Sequence, residues 1–508
     1  MRSLVFLLSL LLGILPGLAA AEPRSVPTPA SAAATQSSGA SGFDLPKLGL
    51  AGGVALPLWK AHFIGRFIYR EIQGEDGVLN DPLVAHYVDY LGHRLSSVAH
   101  APDEPFHYFV IEDPNVNAFA LPGAYVGVYS GLILVTRHED ELAGVLAHET
   151  AHVVQRHIAR SEADSSYEDI INLGILLGGL IVAASGVGMG AVMAAQGSII
   201  QREINYTRAD EMEADRVGIG ILAKARFNPQ GMVQFFQYMQ RQYAFNGYNI
   251  PEFISTHPLD LTRISEAEMR ADNLHVDPTP ENPSYALMRA RVRVLLSNDL
   301  EQTLEYFKSQ ENTQKKPWYR TAAEYGEVLC LNRLDQGKEG LKRIEPLAKA
   351  HPDNMALQLA KAESLLAAGD TQSGLAALAA DNTLYGSDPA AMLAYARALT
   401  NADQPRKVVA LLEPGMRDGS YRYNPAFYQI LGTAADKTGD KSLAYLAMAH
   451  YYSGRGQYRP AVTQLRLGLR MNNLPPSRRK QMEDMKKRLK AEHKQAKNMG
   501  LISRDEGP

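Results

Sequence analysis

Five consecutive residues, His148-Glu149-Thr150-Ala151-His152, set two histidines and a glutamate at a spacing that could do chemistry. Positions four apart share a helix face, so on a helix His148 and His152 converge on one metal ion. Glu149 lies about 100° round from His148, close enough to reach a metal-bound water without ligating the metal. Two neutral imidazoles leave a zinc ion electron-poor and its water acidic; the carboxylate then takes the proton and the hydroxide attacks a carbonyl. The implied chemistry is hydrolysis, with Glu149 as general base and one Zn2+ per chain. The plain alternative is a surface helix carrying two unconnected histidines.

Zinc needs a third protein ligand. One known spacing places a histidine ten residues after the first, but that position is Ile158. His157 falls about 180° from His148 if the helix continues, so it is set aside. The acidic cluster Asp210-Glu211-Met212-Glu213-Ala214-Asp215 is the better source. Glu211 and Asp215 share a helix face, so Glu211 can ligate while Asp215 accepts the free N–H of a ligating histidine. Glu213 points to the other side, and Arg208, one turn before Glu211, is placed to hold the carboxylates. Without the histidine motif, the same cluster reads as a solvated acidic helix.

The elements that must position these groups can be read from periodicity. Val84, Tyr87, Val88, Leu91 and Leu95 follow the cap Asp81-Pro82 at helical spacing. Residues 106–113 and 124–135, rich in β-branched and aromatic residues, predict a small sheet, with Pro114–Asn117 as a loop between them. One helix is expected over 138–160 and another over 203–224. Beyond residue 275 everything reads as helical. Gly340-Leu341, Gly374-Leu375, Val408-Val409 and Ser442-Leu443 recur every 34 residues there, the period of tetratricopeptide repeats.

Bulk properties narrow the setting. The chain has 508 residues, too many for one core, and a formal net charge of -3, which argues against nucleic acid as a partner. Arg2, the apolar run Leu4 to Leu15 and Ala19-Ala20-Ala21 read as a cleaved secretion signal. The single cysteine, Cys330, permits no internal disulfide. The expected organisation is a signal peptide over 1–21, a flexible Ala/Ser/Pro-rich leader over 22–42 and a metal-binding domain over 43–274. A linker over 275–283, helical repeats over 284–475 and a basic tail over 476–508 complete it.

Taken together, His148–His152, Glu211 with Asp215, Asn117-Ala118-Phe119-Ala120-Leu121-Pro122-Gly123, and Thr256-His257-Pro258 with Arg263 resemble the Ste24-like metallopeptidase family. The resemblance covers residues 45–270 by motif. It departs at Ala124, where the family often has a second glycine. It implies an α+β zincin-type metalloprotease domain, mostly helical with a small sheet, followed by an all-α tetratricopeptide-repeat domain. It implies His148, His152 and Glu211 as zinc ligands with Glu149 as base. It also implies a pocket role for His257, either donating a hydrogen bond to the oxyanion or capping the metal in a resting form. With the secretion signal it implies a periplasmic endopeptidase acting on unfolded outer-membrane proteins, the repeats holding substrate or the β-barrel assembly machinery.

Tyr125, Val126, Gly127 and Val128 are expected to form an edge strand to which an unfolded segment adds through main-chain hydrogen bonds; an internal strand is the alternative. Residues 170–201 carry no charged side chain and seven glycines. A single membrane crossing there would separate His148 from Glu211, so the run is expected as a lid or re-entrant hairpin with peripheral membrane contact. The tail from Ser477 to Asn498, with nine Lys or Arg against three acids, reads as a solvated helix. Two rival functions remain: a repeat-based scaffold with a latent site, and a membrane-embedded processing peptidase. All positions the first would need vacant are filled, and the second calls for more apolar spans than the chain has.

Overall fold

The computed structural model describes residues 56–99, 105–161, 206–246, 252–386, 388–419, 421 and 424–502. The secretion signal, the leader and the uncharged run 170–201 lie outside them. No helix among the described residues is long and apolar enough to cross a membrane.

The first half opens with α1 (Leu58–Gly74) and α2 (Pro82–Ser96). Asp81 caps α2, accepting from Val84 N, and Pro82 occupies the first turn, where no N–H is needed. Then come β1 (His107–Ile111), β2 (Ala118–Leu121) and β3 (Tyr125–Tyr129), in the order β1-β3-β2. β3 runs parallel to β1 and antiparallel to β2. Both faces are buried, and the side chains alternate between two cores. Phe109, Ile111, Tyr125 and Tyr129 pack on α1 with Ile64, Ile68 and Ile72, while Tyr108, Val110, Val126 and Val128 join the main core with α2.

The sheet corrects two expectations. Tyr125, Val126, Gly127 and Val128 lie in the middle strand, not at an edge. Their main-chain groups are taken by β1 on one side and β2 on the other, and a Cβ at Gly127 would meet the Phe119 ring at 2.5 Å. Residues 130–135, read as strand, form a short helix, α3 (Ser130–Val135). Ser130 Oγ donates to Asp113 O (2.8 Å) and accepts from Asp113 N (3.0 Å), which ends the strand and starts the turn. The β2–β3 connection places Gly123 at φ 75° and Ala124 at φ 64°. A Cβ at Gly123 would lie 2.3 Å from His62 Cα, so glycine is required there. Ala124 adopts the left-handed conformation at a cost of about 1 kcal/mol, keeping the turn without the second glycine.

Next come α4 (Glu139–Val154), α5 (His157–Ser161), α6 (Arg208–Lys224), α7 (Gln230–Asn246), α8 (Glu252–Thr256) and α9 (Leu261–Asp272). α4 is packed by α2, α6, α7 and β2, so almost its whole circumference is buried. The expected single helix over 138–160 is in fact two. Arg156 at φ 56° breaks it, with its Nη2 donating to Leu56 O at 2.7 Å.

The second half is all helix. It comprises α10 (Pro283–Leu295), α11 (Leu300–Thr313), α12 (Pro317–Arg333), α13 (Gly337–Ala350), α14 (Met355–Ala367) and α15 (Thr371–Leu384). It continues with α16 (Pro389–Asn401), α17 (Pro405–Asp418), α18 (Pro425–Thr438), α19 (Lys441–Gly454), α20 (Tyr458–Leu469) and α21 (Pro476–Asn498). Successive helices pack on one another, and α13, α15 and α17 start 34 residues apart, as the repeat period requires. Asn354, Asp370, Asp388, Asn424 and Asp440 cap their helices with side-chain oxygens.

The two halves share one core. Tyr285 and Leu287 of α10 belong to the same apolar cluster as Leu142 and Val145 of α4. Arg291 of α10 grips the Asp81 cap of α2, with Nε 2.9 Å from both carboxylate oxygens. The segment read as a linker is tied down at its end. Glu281 Oε1 accepts Glu139 N–H (3.0 Å) at the first turn of α4, whose own N-cap, His138, offers no side-chain bond. Tyr319 of α12 donates to the same Glu281 oxygen (2.7 Å) and lies 2.8 Å from Arg137 O. At the far end, α21 returns to α1: Arg70 Nη1 donates to Glu492 (2.9 Å), and Phe63 packs with Ala496 and Leu501.

Candidate metal centre

α4 and α6 cross closely enough for their functional faces to meet. At Gly218 a Cβ would stand 3.2 Å from the α4 backbone at Ala147. Thr207 starts α6 with a reciprocal capping box to Asp210, which orients the following turn. Glu211 and Asp215 therefore point together at His148 and His152.

The side chains of His148, His152, Glu211 and His257 converge, one nitrogen or oxygen of each lying within 4.8 Å of the others, and all four residues are buried. His148 Nε2 is 3.0 Å from His152 Nε2 and 3.3 Å from His257 Nδ1. Glu211 stands 3.4 Å from the Nε2 atoms of His148 and His152 and 3.0 Å from His257 Nδ1. Zinc–nitrogen bonds of about 2.05 Å in a tetrahedron separate their ligand atoms by about 3.3 Å, so this spacing suits such an ion. Both oxygens of Glu149 are buried beside the cluster without a well-formed hydrogen bond, His257 Nε2 lying 3.4 Å from Oε1.

The electrostatics also call for a cation. Glu211 and Asp215 share one buried arginine, and Glu149 is buried beside them. Burial disfavours a charged His148, but Asp215 and Glu211 outweigh it and lift that imidazole to about 10. Burial drives His152 well below its usual range, against Glu211, which suits a neutral ligand. Burial resists ionisation of Glu211 too, yet His257, His148 and His152 hold it well below the carboxylate range. Glu149 is raised by burial, the direction that makes it a better proton acceptor.

Around the ligands stands a second ring of partners. Asp215 Oδ1 lies 3.0 Å from His148 Nδ1, behind the metal-facing nitrogen. The residue that holds Asp215 and Glu211 is Arg263, not Arg208. Arg263 Nε and Nη2 donate to the two Asp215 oxygens at 2.8 and 2.9 Å, and Nη1 donates to Pro258 O at 2.7 Å. Nη1 is also 2.8 Å from Glu211 Oε2, an ion-pair contact without hydrogen-bond geometry. Arg208 sits in the exposed first turn of α6, where Asp260, the α9 cap, takes it at 2.8 Å. His257 follows α8, a helix anchored by Asn117: its Nδ2 donates to Glu252, and Thr256 Oγ1 donates back to its Oδ1.

Two residues escaped sequence reasoning. Tyr206 lays its ring on His152, centroids 3.8 Å apart. His157 turns back on His152, Nδ1 to Nδ1 at 2.8 Å, because the helix breaks one residue before it. Neither carries a sequence signal, since an arginine in the left-handed conformation is unmarked.

Residues 82–271 match peptidase family M48. Over this stretch the chain is similar to the M48 metallopeptidases. The match bears out the resemblance drawn from the motifs. A Vibrio cholerae protein provisionally named a beta-barrel assembly-enhancing protease is 36% identical over 315 residues, 61% of this chain and 65% of its own. The beta-barrel assembly-enhancing protease of Escherichia coli K12 is 32% identical, covering 61% of this chain and 64% of its own. Its Yersinia pestis namesake is 29% identical over 81% of this chain and 85% of its own length. The first two alignments span just under two thirds of those relatives. The M48 match runs from α2 to α9, enclosing the sheet, α4 and every residue of the four-donor cluster.

Proposed function

We propose that the chain is a zinc endopeptidase of the periplasm that cleaves unfolded or misassembled outer-membrane proteins, while its repeats hold the substrate or the β-barrel assembly machinery. The observation that carries the reaction class is the buried convergence of His148, His152 and Glu211 beside the uncommitted carboxylate of Glu149. The substrate class rests on the names of the relatives.

Bound zinc supplies an acidic water and a Lewis acid for the scissile carbonyl. Glu149 would serve as the base that takes a proton from the attacking water and returns it to the departing amine. His257, with Nε2 3.4 Å from Glu149 and Nδ1 3.0 Å from Glu211, would serve the same pocket as a donor to the oxyanion.

The substrate-binding strand is β2, not β3. Tyr129 N donates to Asn117 O at 3.0 Å, so alternate residues Asn117, Phe119 and Leu121 bond to β3. The Ala118 and Ala120 carbonyls then face away from β3, beside α4, while Ala118 N–H donates to Asn117 Oδ1 (2.9 Å) and the Ala120 N–H acts on Glu149. An extended segment pairing there is held by backbone alone, which suits substrates defined by being unfolded.

The test is purified chain beside Glu149→Gln, assayed for zinc content and for cleavage of an unfolded β-barrel polypeptide. One zinc in each, with kcat down roughly 10²- to 10⁴-fold in the variant, is expected. No zinc in either would overturn the proposal.

A further inference from the structure

His157 is buried yet belongs to none of the roles above. Its ring meets the His152 ring edge-on, centroids 4.8 Å apart at 80°, with the two Nδ1 atoms 2.8 Å apart. A histidine that ligates through Nε2 while neutral must carry its proton on Nδ1. His152 therefore donates, and His157 Nδ1 accepts. A neutral His157 then carries its own proton on Nε2, which faces Glu213 Oε2 at 3.2 Å and Asp210 Oδ1 at 3.7 Å. Arg160 Nη2 closes the arrangement, 2.7 Å from Glu213 and 3.1 Å from Asp210.

We infer that His157 is a positioning residue for the metal centre: it fixes the tautomer and ring orientation of His152, and Glu213, braced by Arg160, fixes His157. This rests on the zinc reading of the centre. His148 has a charged partner behind it, Asp215, whereas His152 has a neutral one, which spares the centre a further buried negative charge. His157, Asp210 and Glu213 also lie close enough to share an ion of their own. Arg160 already pairs with both carboxylates, and Asp210 is engaged by the Thr207 cap, so the trio serves as a brace instead.

The experiment measures zinc affinity by chelator competition, and the visible absorption of the cobalt-substituted centre, in the full chain carrying Glu149→Gln. His157→Phe keeps volume but offers no acceptor; His157→Asn is smaller but places an oxygen close to where Nδ1 stood. The phenylalanine variant should bind zinc roughly 10- to 100-fold more weakly with an altered cobalt spectrum, and the asparagine variant within about threefold of the parent. Glu213→Ala, which removes only the outer brace, should lose affinity by about threefold to tenfold without threatening the fold. Equal losses for phenylalanine and asparagine would reduce His157 to packing and overturn the inference, as would parental affinity in all three variants. Two zinc ions in the parent falling to one in His157→Phe would overturn it in favour of a second metal site. A parent that binds no zinc would remove the metal-centre reading itself.

Discussion

Replacing Arg263 by methionine isolates what holds the carboxylates at the metal centre. The side chain is buried and gives three hydrogen bonds, two to Asp215 and one to Pro258 O, besides its contact with Glu211. Methionine preserves much of the stem's packing but leaves Asp215 with His148 alone. Breaking a buried ion pair from one side costs about 3–5 kcal/mol. For a domain of this size each kcal/mol lowers Tm by about 2–4 °C, so a fall of roughly 6–20 °C is expected. The control is Arg208→Ala. Its pair with Asp260 is solvent-exposed, worth about 0–1 kcal/mol, and should move Tm by less than about 4 °C. Thermal unfolding is followed by circular dichroism with zinc and after chelation, because metal binding masks part of the loss. Comparable shifts from the two substitutions under chelation would refute the assignment of the brace to Arg263.

Three further outcomes follow from the geometry. Ala120→Pro removes the β2 N–H that acts on Glu149 and places a ring at the strand edge, and should lower kcat/KM for unfolded substrate by about tenfold while zinc content stays at one per chain, measured by steady-state cleavage and metal analysis. Tyr319→Phe removes the hydroxyl between Glu281 and Arg137 O and should cost about 1–2 kcal/mol, read by denaturant unfolding. Burial raises Glu327 from its model-compound value of 4.5 to about 7, Arg343 opposing and Glu311 adding to the rise. The folded chain thus binds a proton that the unfolded chain has released. Stability from this group is full below 4.5 and is lost as pH climbs to about 7, so Glu327→Gln should flatten that slope in stability measured against pH.

The donor groups that converge were legible because their geometry is local. His148 with His152, and Glu211 with Asp215, are each one helical turn apart, and a periodicity of 3.6 is enough to pair them. The helical half was legible for a similar reason, its repeat being an internal echo of itself. What stayed hidden depends on tertiary placement. Arg263 displaced Arg208 because α9 brings it across α6 from 48 residues away, whereas Arg208 lies on the wrong side of a helix start. His157 was set aside on the premise of one unbroken helix, and Arg156 breaks it. Tyr125–Tyr129 reads from sequence as a strand just before the histidine helix, with nothing to separate an edge from an internal place. Strand rank within a sheet is decided by which neighbours find it, and here β1 and β2 flank β3.

A helix has two ends, and in α4 they are pledged to different parties. The end near Val154 carries the histidines, and the end at Glu139 is tethered through Glu281 and Tyr319 to the first helices of the array. The array then curves back to grip α1 at Glu492. A load applied to those repeats therefore reaches the helix that carries His148 and His152.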